Sequence, residues 1–185
     1  MKYLEKRVEM IKNGGNEELI WILEHPITYT AGVTFNKKDI LEKINLVKTN
    51  RGGKITVHSP GQKIIYFALN LNSRKKDIRN LIRKVEKSVI KFLKIYNVKG
   101  FADKKNIGVW VKGKKIAAIG IRVSKWIAFH GCSININNDL KQYKKIIPCG
   151  LDNQKVTSIY NEKKKIPKEV NSNLSKIFIK NLNKI

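Results

Sequence analysis

A chain of 185 residues is long enough for a single domain with a real core. Its formal net charge of +25 invites a nucleic-acid reading, but the lysines run along the whole chain instead of gathering in one block, and Lys, Asn and Ile, all abundant here, share AT-rich codons. A duplex-binding module is therefore disfavoured, while the charge would still attract acidic proteins at long range. Two cysteines, Cys132 and Cys149, do not make a disulfide scaffold, and no Cys/His cluster has zinc spacing, so no metal is expected. The N-terminus lacks an apolar signal core and no apolar run is long enough for a bilayer; the expectation is a cytoplasmic protein with no membrane and no nucleic acid as partner.

In chain order, Tyr3 to Lys12 predicts a short helix ended by Asn13-Gly14-Gly15. Leu19 to Leu23 is continuously apolar and short, as a buried strand would be, and His25-Pro26 breaks it. Thr28-Tyr29-Thr30 extends toward Gly32; residues 33–45 read as polar loop or a short turn of helix; Leu46 to Thr49 reads as a strand. Ile55-Thr56-Val57 is β-branched, and Ser59-Pro60-Gly61 turns the chain into a second apolar strand from Gln62 to Leu71. The clearest helix is Asp77 to Tyr96, where Ile78, Leu81, Ile82, Val85, Val89, Phe92, Leu93 and Tyr96 make one apolar stripe and Asp77 is placed to cap it. Three strand-like runs follow: Gly108 to Val111, Lys115 to Val123 and Trp126 to Ile136, joined at Lys112-Gly113-Lys114 and Ser124-Lys125. Pro167 to Leu182 closes the chain as a helix with Pro167 in its first turn. This order predicts an α+β domain of residues 1–185, with hairpin-rich sheets and covering helices.

The densest stretch is Arg51 to Gln62, with a cation, a glycine pair, an imidazole and a turn in succession. Gly52-Gly53 leaves backbone N–H groups open to close approach, and a strand would fix His58 at its far end; the plain alternative is an ordinary hairpin with a solvated arginine. Cys149 lies between Pro148 and Gly150, outside any periodic run, where a thiol on a turn is exposed to chemistry if a nearby cation or base makes it a thiolate; the alternative is an inert, half-buried thiol. Cys132 reads as packing. Lys115 heads an apolar run, so its stem can be buried while its amine faces a pocket, or it is an exposed strand-end lysine. His25 and His130 each flank a Pro or Gly and are uninformative alone.

Together these pieces resemble the lipoyl(octanoyl) transferase family, over roughly residues 19–160 and in the family's order. His25-Pro26 through Gly32 is similar to its early His-Pro segment. Arg51 to Gln62 followed by Tyr66 resembles its Arg-Gly-Gly…His-x-Pro-Gly-Gln…Tyr signature. Lys115 to Gly120 resembles its lysine motif, and His130-Gly131-Cys132-Ser133-Ile134-Asn135 its His-Gly-x-x-x-Asn segment. Pro148-Cys149-Gly150-Leu151, with Val156-Thr157-Ser158 beyond, resembles its nucleophile motif. Departures are Ser59 for a frequent Gly, Asn70 for a common Asp, and Cys132-Ser133 for a large-apolar-plus-Ala pair; the last bears on acyl-chain preference.

The resemblance implies the fold of biotin and lipoate protein ligases, a mixed sheet flanked by helices with an acyl tunnel. It implies that Cys149 takes an octanoyl group from octanoyl-acyl carrier protein as a thioester, and that Lys115 lowers its pKa and moves the proton. The acceptor would be a lysine on lipoyl domains of 2-oxoacid dehydrogenase complexes or the glycine-cleavage carrier protein. The acyl pocket would be lined by Arg51, Gly52, Gly53, Lys54, Ile55, Thr56, Val57, His58, Ala118, Ile119, Gly120, Gly131, Cys132 and Ser133, with His130 and Tyr66 in support and N–H groups near the glycines for the oxyanion. No cofactor is implied, because a thioester is already activated toward amines. The rivals are an ATP-dependent lipoate or biotin ligase, which needs no cysteine, and a non-catalytic basic binding module, which needs clustered charge.

Overall fold

A computed structural model describes residues 2–103, 105–148 and 155–183. Helix α1 (Lys2–Lys12) leads into strands β1 (Leu19–Leu23), β2 (Thr28–Ala31), β3 (Leu46–Lys48), β4 (Ile55–His58) and β5 (Gln62–Asn70), then helix α2 (Ile78–Ile95). Strands β6 (Phe101–Ala102), β7 (Val109–Val111), β8 (Lys114–Ser124) and β9 (Ile127–Asn135) follow, then helices α3 (Ile159–Lys163) and α4 (Val170–Leu182).

The larger sheet has six strands in the order β1-β5-β9-β8-β7-β6, every pair antiparallel. The smaller has three, β3-β2-β4, and carries the mixed character: β2 runs parallel to β3 and antiparallel to β4. The result is the expected α+β class with a mixed sheet and flanking helices.

The core lies between the large sheet and helices α2 and α4. Leu81, Val85, Val89, Phe92 and Leu93 of α2 meet Ile65, Phe67 and Leu69 of β5 and Leu174, Phe178 and Leu182 of α4, all at most 1% exposed. Asp77 caps α2 as its residue type predicts, its side chain accepting from the Asn80 N–H at 2.8 Å. Helix α1 seals a smaller cluster, Leu4, Val8 and Ile11 against Ala68, Ile127 and Phe129. A third cluster, Tyr29, Ile55, Val57, Tyr143 and Ile146, binds the small sheet to the chain following β9.

Several boundaries differ from the sequence reading. The β8–β9 turn is Lys125-Trp126, with φ of 50° and 61°, so Trp126 belongs to the turn and not to the strand. Such a two-residue turn needs left-handed backbone at both positions, and here no glycine marks it. Lys112-Gly113, at φ 48° and 73°, makes the corresponding β7–β8 turn where glycine did mark it. Pro167 lies outside α4, which starts at Val170 after Glu169 adopts a left-handed φ of 54°. Strand β6 and helix α3 are too short to show periodicity, though Ser158 caps α3 by accepting from the Asn161 N–H. Residues 33–45 contain one short 3-10 turn, Lys37–Asp39, closed by a capping box between Asn36 and Asp39.

Candidate active site

The Arg51–Lys54 loop is clamped between the two sheets. Its carbonyls are taken up by the chain after β2: Val33 N–H donates to Arg51, Thr34 to Gly53 and Gly32 to Lys54. The Arg51 guanidinium turns back onto β2, donating to the Thr30 carbonyl at 2.7 Å and its hydroxyl at 3.0 Å. On the other side, the backbone at Gly52 presses against β8. A Cβ on Gly52 would lie 2.7 Å from the Ile121 carbonyl, and one on Gly120 would lie 2.9 Å from the Gly52 carbonyl. The bare backbone expected to receive a ligand is thus also what lets the loop lie on the strand.

Beneath this loop is a cavity of about 140 Å³ lined by Arg51, Gly52, Gly53, Lys54, Ile55, Thr56, His58, Tyr66, Ala118, Ile119, Gly120, His130, Gly131, Cys132 and Ser133. It brings the Arg51–His58 segment to the β8–β9 hairpin, across the intervening α2, β6 and β7. Val57 alone of the expected lining residues does not line it; it packs in the cluster with Tyr29, Ile55 and Tyr143.

All three histidines of the chain line the cavity. Burial, reinforced by the Arg51 charge, drops His58 and His130 to about 4 against the usual 6.5, so both are neutral at pH 7. His25 is lowered by burial as well and shares a 3.0 Å hydrogen bond with the Tyr66 hydroxyl. His130 Nε2 donates to Asn50 Oδ1, which settles its tautomer. His130 holds a left-handed φ of 67°, and Gly131 follows at 155°, where a Cβ would strike the Ile65 carbonyl at 2.0 Å. Left-handed backbone at a non-glycine residue in a strand is rare and collects at functional sites.

His58 Nδ1–H donates to Gln62 Oε1 at 2.7 Å, leaving Nε2 with the lone pair. Gln62 in turn donates to Asn135 Oδ1 at 2.8 Å and the Tyr143 hydroxyl at 2.9 Å, and Asn135 Nδ2 donates to the Thr157 carbonyl at 2.9 Å. This buried chain of amides ties the cavity to the segment beyond β9. Gln62 and Asn135 stand inside recognisable motifs, but nothing in their spacing assigned them this positioning role, nor Asn50 its grip on His130.

Lys115 is buried, 7% exposed, at the head of β8. Its Nζ sits 4.8 Å from the centroid of the Trp110 ring, whose π face attracts an ammonium. Gly108, left-handed at 132°, brings the preceding loop against the lysine stem; a Cβ there would be 3.3 Å from Cε. The Lys115 backbone pairs with the returning chain: its N–H donates to Lys155 O at 2.9 Å, and its carbonyl accepts from Thr157 N–H at 3.0 Å. A small cavity beside it is lined by Lys115, Ala118, Ser133, Asn135, Tyr143, Pro148 and Val156. Cys149 lies outside the described residues; its neighbour Pro148 and the nearest described residue after it, Lys155, both come to Lys115. Cys132 is buried in the core, and burial pushes its thiol well above the ordinary range, away from thiolate chemistry.

Residues 1–178 match the lipoyl protein ligase A/B catalytic domain. The chain belongs to this family. An octanoyltransferase of Wolbachia pipientis wMel is 45% identical over 187 residues, covering 97% of this chain and 91% of that protein. Among solved structures, a lipoate-protein ligase A bound with ATP superposes with a TM-score of 0.76 at 15% identity, over 91% of this chain and 74% of that one. A biotin protein ligase from Aquifex aeolicus with biotin and ATP gives 0.57 at 18%, over 84% and 70%. The family fold is thus that of lipoate and biotin ligases, as the resemblance implied. Among the described residues no group of three or more His, Cys, Asp or Glu could hold a metal, and no helix is long and apolar enough to cross a membrane.

Proposed function

We propose that the chain moves an octanoyl group from octanoyl-acyl carrier protein to a lysine of lipoyl domains through a thioester on Cys149, the first step of endogenous protein lipoylation. It is an acyltransferase of the octanoyltransferase type, as its 45%-identical relative is named. The acceptors would be lipoyl domains of 2-oxoacid dehydrogenase complexes and the glycine-cleavage carrier protein, and the compartment the cytoplasm. The ATP-bound ligase shares the fold at 15% identity, which carries no chemistry across.

The observation that supports the Cys149–Lys115 pair is the convergence of Pro148, Lys155 and Val156 on a buried lysine. The Lys115 ammonium stabilises the Cys149 thiolate, which attacks the octanoyl thioester carbonyl. The tetrahedral adduct collapses, the carrier sulfur leaves, and it takes a proton from Lys115. The acceptor lysine amine then attacks the acyl-enzyme; its proton passes to the now neutral Lys115, and Cys149 leaves as thiolate. The cycle ends with the ion pair it began with, and none of its steps calls for a metal or nucleotide. The octanoyl chain occupies the cavity under Arg51–Lys54, where three neutral imidazoles place no charge against it.

The test is transfer from purified octanoyl-acyl carrier protein to an apo lipoyl domain without ATP, followed by mass. Octanoylation without nucleotide is expected. A strict ATP requirement, with free octanoate as the donor, would instead favour the ligase reading.

A further inference from the structure

A second cleft, about 350 Å³, opens beside the acyl cavity. Its floor is Lys115 with Ala118 to Ile121, its rim is Gly52 to Lys54, and its far wall is Ile78 and Ile82 of α2 with Lys105, Asn106 and Ile107. It shares Gly52 to Lys54 and Ala118 to Gly120 with the acyl cavity, so the two spaces meet along β8, with Lys115 in the floor of the second.

The far wall is built rather than loose. Asp103 Oδ1 accepts from the N–H groups of Lys105 at 2.7 Å and Asn106 at 2.8 Å, Trp110 Nε1 donates to the Asn106 carbonyl at 3.0 Å, and Gly108 N–H donates to buried Glu86 at 3.2 Å. Held this way, the loop presents Ile107, 50% exposed, and exposed Lys105 to the cleft, which Ile78 of α2, 39% exposed, and Lys54 also line. Beside a cleft that reaches Lys115, these half-exposed side chains offer apolar contact to a ligand.

We propose that this cleft receives the pantetheine arm of the acyl donor: the isoleucines flank its methylene and gem-dimethyl groups, and Lys105, with Lys54, meets its phosphate. The proposal rests on the acyl-enzyme reading above. Lys115 is buried, so a folded carrier cannot bring a thioester to it except on an extended arm. The cleft reaches that lysine, is flanked by Ile78, Ile82 and Ile107 and carries Lys54 and Lys105, which suits such an arm in its apolar and charged parts. Coenzyme A and acyl carrier protein present the same arm, so either is a competent probe of the cleft.

The test compares single-turnover acylation by octanoyl-carrier protein, octanoyl-coenzyme A and octanoyl-N-acetylcysteamine, which keeps only the thiol end of the arm. Ile107→Asp and Lys105→Glu alter exposed side chains: the first sets a carboxylate against the arm's apolar groups, the second where its phosphate approaches. Each should slow both full-length donors about tenfold and leave the truncated donor within about twofold. An equal fall with all three donors, or no fall with either full-length donor, would overturn the proposal. A fall with carrier protein alone would assign these residues to the carrier's folded body and also overturn it. Wild-type protein that accepts octanoyl from none of the three would instead sink the acyl-enzyme reading on which the proposal stands.

Discussion

The helix-covered region of the large sheet and the region facing the small sheet are built from the same strands on opposite plans. Between the sheet and α2 and α4, contacts are aliphatic and aromatic, and polar groups there are satisfied in simple sets: Asn181 donates to Ser88 Oγ and accepts from Lys91, both at 2.9 Å. Toward the small sheet, the same strands carry Gly120, Gly131, His130, Ser133 and Asn135; Asn135 is held in a chain with Gln62 and His58, and His130 by Asn50. The first region tolerates exchange of one apolar side chain for another of like volume; the second does not, because buried His58, Gln62, His130 and Asn135 each hold a specific partner. The large apolar cluster thus lies behind the sheet and the proposed chemistry in front of it, and substitutions should separate the two.

The largest effect belongs to the front. Lys115→Ala should lower both acylation and transfer in single-turnover assays, by roughly 10²–10⁴-fold, with little change in the unfolding midpoint. Lys115→Arg keeps a charge but cannot act as the base, so it should retain part of the acylation and lose transfer. Wild-type rates in Lys115→Ala would return the lysine to structure alone and move the search for a base to His58 or His130. Behind the sheet the converse is expected. Phe92→Ala empties a fully buried site and should cost about 3–5 kcal/mol in denaturant unfolding while acylation by the folded fraction persists.

A hybrid case sharpens the contrast. Gln62→Leu keeps an apolar volume but strands the His58 Nδ1–H and removes a donor from Asn135 and the Tyr143 hydroxyl. A loss of about 1–3 kcal/mol of stability together with slower acylation is expected; an effect on stability alone would separate His58 from the site.

The histidines add a pH dependence. In the unfolded chain they bind protons near 6.5; folded, His58 and His130 do so only near 4, chiefly because of burial. Between those values the unfolded state holds more protons, so stability is full above about pH 6.5 and falls as pH drops toward 4. Replacing His58 with Gln should flatten part of that slope in chemical denaturation between pH 4 and 7. The smallest effect is on encounter: an acidic carrier should be captured more slowly as salt rises, within a few-fold, and a rate flat across salt would leave the lysine excess without a role in steering.

Much of the front of the molecule was legible because its motifs are backbone requirements. Arg51-Gly52-Gly53, Lys115 to Gly120 and His130-Gly131 stand where close packing or left-handed backbone leaves few choices, and α2 announced itself by period and cap. Less legible were features set by tertiary contact. The Lys125-Trp126 turn carries no glycine, and its position follows from the pairing of Ser124 with Ile127 on either side of it. The burial of Lys115 depends on Trp110 and on the strand-like return at Val156, neither adjacent to it in a motif. Asn50 and Gln62 gained their roles only when the histidines they hold were brought to one cavity.

The central claim, that Cys149 carries the octanoyl group, is tested most directly by intact mass after mixing the protein with an octanoyl thioester. Wild type and Cys132→Ala should each gain one octanoyl group and Cys149→Ala none. An adduct that survives in Cys149→Ala and disappears in Cys132→Ala would contradict it.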